Sequence, residues 1–141
     1  MKGQYKLQII NDSSLNLSLE KVRFNRLDIP ESLTKGVQPQ LKTKDNYRIL
    51  EITHNNVKIE FMREKYFEPA GLFQIEVVIT LFYKLQDSNN KEKEKIIKED
   101  LKKAYLKLLS PAATRASILV SALTGINFKN PVVDPPYPLL W

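Results

Sequence analysis

The stretch FQIEVVITLFYKL, residues 73–85, alternates without a break, and Phe73, Ile75, Val77, Ile79, Leu81 and Tyr83 fall on one face of an extended backbone. Such a run cannot serve as a helix. A period of two held this long demands a β-strand with a covered apolar face, expected over 71–85. The opposite face reads Gln74, Glu76, Val78, Thr80, Phe82, Lys84. A sheet bare on that side would keep it polar. Val78 and Phe82 are therefore either isolated exposed apolar residues, which are common, or the mark of partial cover by another chain.

A strand this regular needs neighbours, and the preceding sequence supplies three. LNLSLEKVRFNRLDI, residues 15–29, alternates through Leu15, Leu17 and Leu19 and then changes phase to Val22 and Phe24, the pattern of a strand with a bulge. Residues 30–46 hold two prolines and a glycine without periodicity and read as a crossover connection. NYRILEIT (46–53) and VKIEFMREKYF (57–67) are two further alternating runs separated by HNN. Strands are expected over 46–53 and 56–67 as an antiparallel pair, with Asn55 and Asn56 tolerating the left-handed backbone of a tight turn. Pro69 and Gly71 then interrupt the ladder.

After QDSNN the period changes. Ile97, Leu101, Ala104, Tyr105 and Leu108 recur at helical spacing, predicting an amphipathic helix over 92–109. Ser110–Pro111 reads as the opening of a second helix, because serine caps free N–H groups and proline at the first position forfeits no bond. That helix is expected over 111–124, with Gly125 as its left-handed end. PAATRASILVSALT carries one charge, Arg115, and a stripe of hydroxyls at Thr114, Ser117, Ser121 and Thr124. One sheet face cannot bury such a helix on all sides, so a subunit interface is the natural place for the rest of it. The segment 126–141 holds four of the eight prolines together with Val132, Val133, Tyr137, Leu140 and the single tryptophan, Trp141.

Catalytic chemistry is poorly served. There is no cysteine, one histidine (His54, at a turn), and four isolated glycines, so neither a zinc cluster, a paired nucleophile nor a phosphate-cradling loop can be assembled from local sequence. Glu60 and Glu76 could share a sheet face, but nothing nearby supports them as an acid–base pair. No enzyme, metal or cofactor is expected. At 141 residues and 43% hydrophobic the chain suits one domain, 1–141, and neither a signal peptide nor a membrane span is read from it; a cytoplasmic protein is expected. Half of the net charge of +6 comes from residues 91–107, where seven lysines alternate with four acids. Without interleaved aromatics this reads as a solvated helix face rather than a phosphate-binding strip, and nucleic acid is not the expected partner.

Taken in order, four β segments lead to LLSPAATRASILVSALTGINFKNPVVDPPYP, residues 108–138: a helix of small apolar residues opening at proline, an arginine, LTG, an N-F dipeptide and a proline-rich loop. This succession resembles the SecB-like export chaperones. The resemblance implies an α+β fold, a four-stranded antiparallel sheet packed with C-terminal helices, assembled as a dimer or tetramer. It further implies an ATP-independent holdase that binds unfolded polypeptide or preprotein clients in apolar grooves, in export or for dedicated clients such as a toxin–antitoxin system. Candidate client contacts are Leu50, Ile52, Val78, Phe82, Phe128, Val132, Val133, Tyr137, Leu140 and Trp141. Candidate subunit contacts are Thr114, Ser117, Ile118, Ser121 and Ala122. Family members that serve the translocase recruit the motor SecA through acidic surface, and a charge of +6 argues against that recruitment here. A small basic nucleic-acid-binding module and an oligomeric scaffold without chaperone action are the alternatives.

Overall fold

A computed structural model describes residues 6–27, 36, 39–68, 71–86, 91–128 and 131–140. Strands β1 (Ile10–Arg26), β2 (Gln40–Ile52), β3 (Asn56–Glu68) and β4 (Phe73–Leu85) form one antiparallel sheet in the order β1-β4-β3-β2. Helices α1 (Lys93–Lys103) and α2 (Tyr105–Asn127) back a single face of it. The fold is thus the expected α+β arrangement. The phase change in the first strand is a bulge at Glu20: Leu19 pairs with Ile79 and Lys21 with Val78, which returns Val22 and Phe24 to the helix side.

Alternation decides the core. Ile59, Phe61, Ile75, Val77, Ile79 and Leu81 meet Ile97, Leu101, Leu108, Leu109, Ala112, Ala113, Ala116 and Val120, all fully or almost fully buried. The three alanines let α2 approach the sheet closely, and the Tyr83 hydroxyl donates to the Leu108 carbonyl at 2.6 Å.

Three expectations are corrected. Asn55 and Asn56 do not adopt the left-handed region; among described residues only Gly36 has positive φ. The three-residue β2–β3 loop closes instead through Thr53, whose N–H donates to the Asn56 carbonyl at 2.8 Å and whose Oγ1 accepts from the Asn56 N–H at 3.1 Å. The helix break falls at Ala104, not at Ser110–Pro111. Pro111 sits in the second turn of α2, where the carbonyl it leaves without an N–H is that of Lys107, an exposed residue, and Ser110 Oγ donates to the Leu106 carbonyl rather than capping. Gly125 lies inside α2, which ends at extended Phe128 with its N–H on the Thr124 carbonyl.

Asp100 is a fourth surprise. Counted in the sequence among solvated charges, it is buried, and its carboxylate accepts the N–H groups of Gln8, Ile9 and Ile10 at 3.1–3.4 Å. It ties α1 to the entry of β1, satisfying backbone donors that lie ahead of the ladder.

By length and composition the helix Tyr105–Ile126 could cross a membrane. Its buried alanine and leucine face and its bonded hydroxyls instead match a helix packed within a protein.

Candidate functional site

On β3 the core-facing positions run Val57, Ile59, Phe61 and then Arg63 and Lys65, so the alternation carries two cations into the interior. Arg63 is 0% exposed. An isolated buried guanidinium would be costly, and this one has all five N–H donors engaged. Nε and Nη2 donate to the two oxygens of Asp45 at 2.8 and 2.7 Å. Nη1 reaches Asp134 Oδ2 at 2.8 Å and the Pro135 carbonyl at 2.5 Å, and Nη2 also reaches the Tyr137 carbonyl at 2.8 Å. The Lys65 ammonium lies 2.8 Å from Asp134 Oδ1 and donates to Thr43 Oγ1. Two cations meet two carboxylates. Burial opposes the charge of Arg63, but the hydrogen bond and charge of Asp45, then those of Asp134, outweigh it and hold the guanidinium proton more tightly than usual.

Half of this cluster comes from the proline-rich segment. Residues 131–140 lie along α2 and antiparallel to it: Thr114, Ser117 and Ser121 donate to the carbonyls of Pro136, Asp134 and Val132 at 3.0, 2.6 and 2.8 Å. Thr124 Oγ1 accepts the Val132 N–H at 2.7 Å, and Asp45 Oδ2 accepts that of Leu139 at 2.7 Å. Four steps of the segment, Val132 to Pro136, thus span seven steps of the helix, roughly 10 Å of helix axis, which calls for a backbone far more open than a helix. Its prolines bring carbonyl acceptors to the buried donors without burying N–H groups of their own.

The candidate residues divide accordingly. Val132 and Leu140 are half-buried, Val133 (93%) and Tyr137 (51%) are exposed, and Trp141 lies outside the described residues. Phe128 is held in an aromatic cluster, 5.3 Å from Phe73 and 6.2 Å from Phe24. Thr114, Ser117 and Ser121 have their bonds within the chain, whereas Ile118 (60%) and Ala122 stay exposed on another face of α2. That face meets β1 in a cleft of about 290 Å³ lined by Leu17, Leu19, Ile79, Arg115, Ile118 and Leu119.

Val78 is buried, with the second sheet face covered by its own long side chains. Lys21 pairs with Glu76 at 2.7 Å, Arg48 with Glu60 at 2.7 Å, and the Lys58 ammonium lies 5.5 Å above Phe82. Val78 is therefore not an exposed client contact. Glu60 sits opposite Thr80 and Glu76 opposite Glu64, so the two acids are not neighbours across the ladder. Among the described residues no cluster of three or more potential metal ligands occurs.

Leu50 and Ile52 are placed differently. The ladder skips Leu50 between Ile49 and Glu51, and this bulge residue, 38% exposed, opens on a groove of about 950 Å³. Tyr47, Ile49, Leu50 and Ile52 line its β2 side and Glu94, Lys98 and Lys102 of α1 its other. Since β2 is an edge strand, its outer backbone groups beside this groove have no strand partner among the described residues.

Among solved structures the chain is similar to the SecB-like chaperone Rv1957 of Mycobacterium tuberculosis in complex with a ChAD peptide from the HigA1 antitoxin. The likeness has a TM-score of 0.55 at 9% identity and covers 87% of this chain and 90% of that one. The fold is SecB-like. A protein of unknown function from Streptococcus agalactiae matches with a TM-score of 0.48 at 13% identity, over 86% of this chain and 98% of that one. No family model and no curated protein matches the sequence. The SecB-like fold places the β2 groove and the β1 cleft at opposite edges of one sheet.

Proposed function

We propose that the chain is an ATP-independent holdase that binds unfolded polypeptide along the β2 edge. The observation that carries this reading is an edge strand beside an open, partly apolar groove. An extended client adding to β2 would satisfy edge N–H and C=O groups whatever its sequence, and alternate side chains would enter the groove over Leu50 and Ile52. Glu94, Lys98 and Lys102 would supply a charged rim, so that apolar segments bind while charged ones gain little. The SecB-like fold of a chaperone holding an antitoxin peptide supports the same reading, and a dedicated client of that kind is favoured over export. Recruitment of an acid-seeking motor is not proposed for a chain of charge +6.

The β1 edge and the exposed face of α2 around Ile118 and Ala122 are proposed as the contact with a second copy, in the cytoplasm, with no catalytic step and no cofactor. The test is aggregation of an unfolded protein followed by light scattering at stoichiometric ratios. Protection that disappears in Leu50→Asp supports the reading. A strictly monomeric species giving no protection overturns it.

A further inference from the structure

We propose that the channel between α2 and β3 is a peptide-binding site in its own right, filled here by residues 131–140 as a resident ligand, and that it takes in trans an extended segment with a carboxylate followed by prolines. This goes beyond the holdase reading, which concerns the groove farther along β2, between Tyr47 and Ile52.

Most of the recognition is of backbone. Thr114, Ser117, Ser121 and Thr124 read carbonyls and one N–H, and Arg63 reads the carbonyls of residues 135 and 137. The side chains of Val133 and Tyr137 point into solvent and contribute little to the fit. One side chain is read specifically, that of Asp134, 4% exposed between Arg63 and Lys65. Without it Arg63, Lys65 and Asp45 would leave one buried positive charge uncompensated, which selects for a carboxylate over a neutral residue of the same shape. Between the N–H groups of Val132 and Leu139, which Thr124 and Asp45 accept, the wall presents the donors of Thr114, Ser117 and Arg63, and prolines at 135 and 136 keep further N–H groups away from them. The ligand class follows from both demands: an acidic residue, then N–H-poor backbone.

The resident segment competes at the high effective concentration of a tethered ligand, so a free peptide binds only where that segment is weakened. The test uses the full chain in three forms: wild type, Ser117→Ala/Ser121→Ala and Asp134→Asn. Alanine is the stronger helix former, so the double variant removes two contacts without unsettling α2. The probe is a fluorescein-labelled PVVDPPYPLL peptide, read by anisotropy beside the same peptide with its aspartate replaced by asparagine. Binding to at least one variant, tenfold or more tighter than to wild type and about tenfold weaker for the asparagine peptide, is expected. Failure to bind either variant, or equal affinity for the two peptides, overturns the proposal. Leu50→Asp should leave peptide binding unchanged, so loss of holdase protection and loss of this site are read separately.

Discussion

Arg63 shows how a single position can join distant parts of the chain. Truncating Arg63→Ala leaves Asp45 and Asp134 buried with Lys65 as their one remaining cation in the cluster, so that a carboxylate goes unmatched, and stability should fall by about 3–5 kcal/mol in urea titration, with the amides of Val132 and Leu139 losing their protection from hydrogen exchange. Arg63→Met together with Asp45→Asn should cost less than the sum of the two single changes, because the pair acts as a unit. Half of this was legible. The alternation Val57, Ile59, Phe61, Arg63, Lys65 puts two cations on the same face as three apolar residues, but period alone does not say that cations so placed are buried. The anion that answers them, Asp134, lies 71 positions from Arg63, and no local pattern encodes that separation. Tyr83 makes a second test. Burial, with a smaller contribution from Asp12, raises its phenol well above the usual 10.0. A raised folded value means its contribution is intact below about pH 10 and is lost as pH climbs above it. Alkaline unfolding should begin there, and Tyr83→Phe should flatten that limb while costing about 1 kcal/mol at pH 7 for the missing bond to Leu108.

At the level of elements, helix α2 divides its circumference three ways: alanines and leucines to the sheet, hydroxyls to residues 131–140, and Ile118, Ala122 and Ile126 to the outside. Its composition announced the first and hinted at the third. The hydroxyl stripe, expected at a neighbouring subunit, meets residues 131–140 of the same chain, since sequence gives the spacing of a stripe and not the identity of what lies against it. The helix boundary was misread for a related reason. Ser110–Pro111 is a good opening by local preference, yet continuous burial of Leu108, Leu109, Ala112 and Ala113 keeps one helix running through the proline. Pro111→Ala should therefore stabilise, by about 1 kcal/mol or more in thermal or urea melts, by giving the Lys107 carbonyl its missing partner.

For the molecule as a whole, two sheet edges remain open among the described residues and lie beside different helices. Ile118→Asp should lower the mass seen in light scattering if the α2–β1 face joins two copies, whereas Leu50→Asp should leave mass unchanged and abolish protection of an unfolded client. The outward sheet face is a charge lattice over Val78 and Phe82, so neither change should expose new surface there. The strands, the pairing of β2 with β3 and the helix side of the core could be read from period and turn; the sheet order and the grooves could not, because each is made where elements distant in sequence meet or diverge.

The clasp around Arg63 also sets a schedule for synthesis. A ribosome releases β2 and β3 long before residues 131–140, and until these emerge the nascent chain holds Arg63, Lys65 and Asp45 with one positive charge lacking its counterion. The domain can collapse early but cannot close its charge cluster, so premature termination before Asp134 should yield a chain recognised by quality control rather than a slightly shortened working protein.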